Sequence, residues 1–302
     1  LRIEIPKGSY RPQYRLVKLK VKAEPRWWWL AGVAGLGLLS LAVWMAGRKS
    51  PLEQLWGPML ESQQGPVLLV GQPLHVWVRD VKGQVAPADY AHFPDPLPSS
   101  EPFRRFAATR LGPGAVPVLH PSPNATLWGD AAGAASAVRF FTLRNKSAEM
   151  LPESTLKNGA SLRGRPVVAF GRPEYSPAVQ RYLTSAGGYT IGMVNEIQRY
   201  AVFRLGHPEE RFLNTKPPHE VNHGLVTVLN DGPARVMVFS GITSDGSLAG
   251  LEYFTNEKSV AELFGRIGRR QWPSVFQVVL RVTSDAGYAV AAQYEKHLVL
   301  EE

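Results

Sequence analysis

Apolar positions along the chain fall into three patterns. The first is residues 27–47, WWWLAGVAGLGLLSLAVWMAG, 21 positions without a charge. As an α-helix rising about 1.5 Å per residue, this run spans roughly the 30 Å hydrocarbon core of a bilayer. Trp27, Trp28 and Trp29 sit at one end and Trp44 near the other, where indole rings favour the headgroup interface. Arg26 closes one side, and Arg48 and Lys49 close the other. A signal peptide has a shorter apolar region and a small-residue cleavage site, and a soluble core helix is seldom apolar all round for this length. The pattern predicts a transmembrane helix.

The second pattern is the short apolar run that ends in a turn signal. Residues 66–70 and 166–170 read as strands buried on both faces, each followed by glycine. Residues 225–229 and 235–240 read as strands joined by the hairpin-type turn Asn230-Asp231-Gly232-Pro233. Residues 275–282 and 288–294 are strands around Ser284-Asp285-Ala286-Gly287, and 146–150 is a further short strand.

The third pattern is helical. A short helix over 51–58 is expected to stop at Gly57 and Pro58. Another covers 131–143 with Asp130 as its N-cap, and one over 176–184 opens on the cap-plus-proline pair Ser176-Pro177. Helices over 247–254 and 259–267 follow. Prolines crowd residues 74–123, which read as loop with one helix over 101–109. No internal repeat of solenoid or propeller length appears. Strands interleaved with helices indicate an α/β fold: a single transmembrane helix followed by a mixed-sheet α/β domain over 50–302, with material for two lobes.

Charge sharpens this division. Of 34 basic residues, eight lie in 1–26 (Arg2, Lys7, Arg11, Arg15, Lys18, Lys20, Lys22, Arg26), against Glu4 and Glu24. Residues 50–302 hold 24 basic and 23 acidic residues, which argues against a basic globular nucleic-acid-binding domain there. The positive-inside rule places the N-terminus in the cytoplasm and 50–302 across the membrane. The chain has no cysteine, which excludes disulfides and thiol catalysis. Ala31 and Gly35 make a small-xxx-small pair through which two spans can associate as a homodimer.

Ahead of the span, Ile3 and Ile5 alternate with Arg2 and Glu4 as in a half-buried strand, and Pro6-Lys7-Gly8-Ser9 forms a turn signal. A returning strand is expected from Tyr10, ending at Pro12. A two-stranded ribbon is marginal alone. The first residue is Leu, so the chain reads as a fragment with part of its N-terminus missing. Residues 15–26 read as a basic linker.

These residues carry a resemblance. RIEIPKGSYRP is similar to the C-terminal hairpin, the wing, of OmpR-type winged helix-turn-helix domains. The resemblance implies that residues 1–14 are a wing remnant, with Lys7, Ser9, Tyr10 and Arg11 near a tip that meets DNA phosphate. A basic juxtamembrane segment drawn to anionic lipid is the competing reading. Further motifs extend the likeness: Leu55-Trp56-Gly57-Pro58, residues 66–73, Gly129-Asp130-Ala131, residues 162–171, Gly241 with its helix, and residues 276–280. In that order they resemble bacterial membrane proteins with an OmpR-type winged helix inside, one span, and an uncharacterised α/β domain outside. Such proteins usually carry an asparagine-rich, tryptophan-containing loop after the strand that follows Leu162-Arg163; this chain has Gly171-Arg172-Pro173-Glu174-Tyr175-Ser176-Pro177.

No catalytic constellation emerges: the sequence has no HExxH, G-x-S-x-G or Walker pattern, and no catalytic residue, metal site or cofactor is assigned. His219 and His223 are four apart, but Pro217, Pro218 and Gly224 favour a loop over a metal-binding helix face. What remains is a binding geometry. Open α/β sheets bind ligands beyond the carboxyl ends of their strands, where helix N-termini favour anions. Three loops qualify: Gly71-Gln72-Pro73, residues 171–176, and Gly241-Ile242-Thr243-Ser244-Asp245. Gln72, Arg172, Ser176, Thr243 and Ser244 are the candidate ligand-binding residues.

The expectation is a one-component transcriptional regulator of the bacterial inner membrane. A cytoplasmic winged helix binds DNA, one span crosses the bilayer, and a periplasmic domain senses a ligand or an envelope protein. The alternative is a membrane-anchored structural or interaction domain with no small-molecule ligand. An anchored hydrolase or transferase stands third, for want of an acid/base constellation.

Overall fold

The computed structural model describes residues 2–4, 7–8, 13–15, 33, 49–79, 85–87, 116–121, 125–156, 162, 164–194, 199–215, 220–285 and 288–300. Apart from Val33, the expected span over 27–47 lies outside the described residues, as does the helix expected over 101–109. Among the described residues no helix is long and apolar enough to cross a membrane. Contacts divide the chain into Leu1–Lys49 and Ser50–Glu302.

In the first unit, β1 (Arg2–Glu4) pairs antiparallel with β2 (Gln13–Arg15), Ile3 opposite Tyr14. The described return strand β2 lies beyond Pro12, and the strand expected from Tyr10 to Pro12 lies outside the described residues. Gly8, at φ +95°, supplies the left-handed turn conformation.

The second unit opens with α1 (Pro51–Leu60), closed at its start by a reciprocal box. The Glu53 N–H donates to Ser50 Oγ at 3.2 Å and the Ser50 N–H to Glu53 Oε2 at 2.8 Å. The helix runs through Gly57 and Pro58 rather than stopping there. Pro58 forfeits one N–H, but Leu55, Trp56 and Met59 are fully buried, and that burial outweighs the loss. The Trp56 indole donates to the Phe254 carbonyl at 2.8 Å amid the rings of Phe140, Phe141 and Phe239.

A seven-stranded mixed sheet forms the frame. Its strands are β3 (Val67–Val70), β7 (Glu149–Pro152), β8 (Val167–Phe170), β12 (Glu220–Asp231), β13 (Ala234–Gly241), β14 (Phe276–Asp285) and β15 (Tyr288–Val299). The order across it is β7-β3-β8-β13-β12-β14-β15. β7, β3, β8 and β13 are parallel neighbours, and the remaining pairings are antiparallel. The sheet is therefore α/β and mixed, as the pattern implied.

Side chains alternate between the two faces, and both faces are covered. Leu68, Val70, Val168, Phe170 and Phe239 face one core with α1, α2 (Trp128–Thr142), α4 (Ser244–Thr255) and α5 (Glu257–Ile267). Val67, Leu69, Val167, Ala169 and Val238 face the other, with α3 (Pro177–Ala186) and a second sheet. That second sheet is β9 (Tyr189–Val194), β10 (Arg199–Arg204) and β11 (His207–Leu213), in the order β11-β10-β9. Residues 189–213 had received no assignment from sequence. Buried Gln277 ties this sheet to the large one: its Oε1 accepts from the Tyr189 N–H at 2.6 Å, and its Nε2 donates to the Tyr189 carbonyl at 2.8 Å.

The proline-dense stretch is not wholly loop. β4 (Leu74–Arg79), β5 (Val85–Pro87) and β6 (Val116–Pro121) form a third sheet in the order β5-β4-β6, inserted between β3 and α2. Pro87, Pro117 and Pro121 lie on the flanking strands β5 and β6 rather than on central β4, the arrangement a missing N–H permits.

Candidate ligand site at the carboxyl ends of the parallel strands

Because β7, β3, β8 and β13 are parallel, their carboxyl ends open on one side of the sheet. From β3 the chain crosses by way of α2, on one face, to β7. From β8 it leaves by way of α3, on the other face, and later returns as β13 on the opposite flank. Connections diverge between β3 and β8, the point at which open α/β sheets form a crevice.

A cavity of about 400 Å³ lies there. The connection after β3 contributes Gln72, and the 3₁₀ turn after β7 contributes Glu153 and Ser154 with Leu156 beyond it. The β8 connection contributes Tyr175, Pro177 and Ala178, then Arg181 and Tyr182 from α3, and Leu162 comes from the segment before β8. The lining thus comes from the exits of three adjacent strands.

Two glycines bring those exits together. A Cβ on Gly71 would stand 3.0 Å from the Tyr175 ring and 3.1 Å from the Phe170 carbonyl oxygen, and Gly171 holds φ +141°. Tyr175 therefore rests directly on the β3 and β8 exits. Its hydroxyl donates to Asp130 Oδ2 at 2.9 Å. Asp130 is fully buried in the first turn of α2; the N-cap is Leu127, with no side-chain cap bond, so Asp130 is not the cap that sequence suggested. Burial pushes the Asp130 carboxyl up to about 6, against the opposing pull of the Ser247 and Tyr175 hydroxyls and the Arg172 charge. Burial and the Asp130 charge together push the Tyr175 phenol up, which keeps it a proton donor.

The polar wall of the cavity is built around Glu153. Its Oε2 accepts from the Ser176 hydroxyl and its Oε1 from the Ala178 N–H, both at 2.5 Å. Ser176 Oγ in turn accepts from the Val179 N–H at 3.2 Å, which caps α3 as expected. Burial raises the Glu153 carboxyl above its ordinary value despite these donors. Gln72 Oε1 accepts from the Ser154 N–H at 3.2 Å and so ties the β3 exit to the β7 exit.

The five candidate residues separate. Gln72 lines the cavity, while Arg172, Ser176, Thr243 and Ser244 are not among its lining residues. Ser176 is buried one bond behind Glu153. Arg172 braces neighbouring loops: it donates to the Ile242 carbonyl at 3.1 Å, approaches Glu174 at 3.5 Å, and lies 4.6 Å over the Tyr200 ring. Thr243 accepts from the Asn222 amide, and Ser244 Oγ accepts from the Gly129 N–H at 3.2 Å.

Above β13 the edge is closed by backbone. A Cβ on Gly129 would lie 2.2 Å from the Ser244 carbonyl oxygen, and one on Gly241 would lie 2.6 Å from Gly246 Cα. Neither helix start offers the anion site expected of it. Packing against α2 closes the start of α4, and the chain's own carboxylate occupies the start of α3.

Sequence reasoning missed Glu153, Arg181 and Tyr182. Tyr175 lay within a loop already singled out, whereas Glu153 carried no signal. His223 is buried in β12, not in a loop, and burial followed by the Arg281 charge lowers its imidazole to about 4. His219 lies outside the described residues, and among those described no group of side chains could hold a metal ion. Lys7 is exposed in the β1–β2 turn; Ser9, Tyr10 and Arg11 lie outside the described residues.

Comparison of the chain with protein-family models, curated proteins and solved structures finds no match.

Proposed function

We propose that residues 50–302 form a ligand-sensing domain of a membrane-anchored, one-component transcriptional regulator. The observation that carries this reading is the cavity of about 400 Å³ where the connections diverge, within the roughly 300–1,000 Å³ range of small-molecule sites. In the proposal, 27–47 cross the bacterial inner membrane once as a helix, with the N-terminus cytoplasmic and 50–302 periplasmic. Residues 1–14 close a winged helix that binds DNA, and paired spans couple the two sides. The second sheet, packed on the α3 face, provides the smaller lobe. The uncharged run with its tryptophan ends and the asymmetry of flanking charge support the span; the β1–β2 hairpin is consistent with a wing. The domain is a receiver and not an enzyme: ligand must bind one of two states more tightly, or nothing is transmitted.

Thermal unfolding of the purified chain in detergent against a broad metabolite panel tests this. A ligand at about 100 times its Kd stabilises the folded state by about 2.7 kcal/mol. The expected result is at least one upward shift in Tm that Ala178→Trp, which fills the cavity, abolishes. A flat panel from a cooperatively folding chain would overturn the small-molecule reading in favour of a protein partner. Two exposed apolar residues favour that alternative: Leu143, 71% exposed just after α2, and Met150, 52% exposed on the edge strand β7.

A further inference from the structure

The geometry points to a small organic cation, an ammonium group on an apolar body, as the ligand class of the cavity, with Glu153 as its counter-ion. This inference rests on the cavity being the sensing site. Its first support is charge. Among the described residues of the lining, Glu153 and Arg181 are the two that carry charge, and they are not equivalent. Arg181 is 60% exposed and already paired with Asp231 at 3.1 Å. Among the described residues, Glu153 is bonded to neutral donors, the Ser176 hydroxyl and the Ala178 N–H, and no cation forms an ion pair with it.

The second support is stereochemical. Among the described residues each Glu153 oxygen meets one donor, Ser176 or Ala178, which leaves its second acceptor direction for a ligand. Glu153 is half-buried, so its carboxylate is partly removed from water without a counter-charge, and an entering ammonium offsets that cost with charge-assisted hydrogen bonds. The third support is exclusion. The N-terminus of α3, where an anionic ligand would dock, is already filled by the Ser176 hydroxyl and by Glu153 itself, so an anion would meet a carboxylate. Leu156, Leu162, Pro177 and the Tyr182 ring supply the apolar walls for the body of the ligand.

The test uses three probes with one shape and different heads: 2-phenylethylammonium, 2-phenylethanol and 3-phenylpropanoate. Calorimetry on the purified full chain is expected to show the ammonium binding at least tenfold more tightly than the alcohol, with the carboxylate weakest. Glu153→Gln should erase the difference between ammonium and alcohol, and Ala178→Trp should remove binding of all three. The comparison of heads needs only the unmodified chain, so it stands even if Glu153→Gln loosens α3. Equal affinities, a reversed order, no binding by any probe, or a preference that survives Glu153→Gln in a folded variant would overturn the inference. Metabolite binding that Ala178→Trp abolishes would, in those cases, leave the cavity as the sensing site with another ligand class. If nothing that binds is sensitive to Ala178→Trp, both readings fail.

Discussion

Asp130 concentrates the tension in this molecule at the residue scale. It is a carboxyl group with no exposed surface, held by Tyr175 directly beneath the cavity wall. Its native value near 6, against an ordinary 3.8, means the folded chain binds its proton more readily than the unfolded chain does. The stability this confers is fully present below about 3.8 and is lost as pH rises through 6. A shift of this size corresponds to about 3 kcal/mol. His223 acts in the opposite sense. Its native value near 4, against 6.5, contributes stability above 6.5 that is lost as pH falls toward 4. Over the same window the two effects oppose each other. Asp130→Asn keeps an acceptor for the Tyr175 hydroxyl and removes one effect. Relative to the unmodified chain, the variant should be more stable at pH 7 than at pH 4 by as much as about 3 kcal/mol, as read from Tm against pH. Parallel profiles for the two chains would show that Asp130 is not the group held protonated. Sequence placed Asp130 near a helix start but not its burial, which depends on Tyr175 and Ser247, 45 and 117 positions away in the chain.

The decisive contact between elements is the one between α2 and α4. Gly129 admits the start of α4 so closely that a Cβ would overlap the Ser244 carbonyl carbon and oxygen, at 2.3 and 2.2 Å, and neither can swing aside as a side-chain tip would. Gly129→Ala should therefore destabilise the chain by about 3 kcal/mol. Gly265, within α5, has nothing within 4 Å of an added Cβ, and Gly265→Ala should be neutral or stabilising by up to about 1 kcal/mol. Denaturant unfolding of the two variants separates steric closure from helix propensity; equal effects would contradict the close approach. Element type was legible where local chemistry and burial agree: the apolar runs of β3 and β8, the Asn230–Pro233 turn signal between β12 and β13, and the Ser176-Pro177 start of α3. It was illegible where a tertiary partner overrides a local signal. Pro58 lies inside α1 because Trp56 and Met59 are buried on either side of it.

For the whole molecule, the absence of cysteine permits a direct test of the proposed orientation. Lys7 and Gln271 are both exposed, one on each side of the proposed span. A membrane-impermeant maleimide should label a Gln271→Cys chain once the outer membrane is permeabilised, and a Lys7→Cys chain only after the inner membrane is opened. The reverse order would invert the topology, and labelling of both before the inner membrane is opened would remove the span.

What the sequence by itself determined is whatever a short stretch enforces through its own solvation and backbone chemistry. That covers the α/β class, the buried strands, most of the helices, and the three loops that follow β3, β8 and β13. Each of these follows from the burial of apolar side chains or from the restricted dihedrals of glycine and proline, which neighbours a few positions away can express. Only the tertiary structure decided which loop end is open. The strand order brings Gln72, Glu153 and Tyr175 to one cavity from positions as much as 103 apart, while the glycine contacts above β13 close the edge that Thr243 and Ser244 had marked. Strand order and backbone approach are sums over many weak contacts between distant residues, and no local pattern carries them.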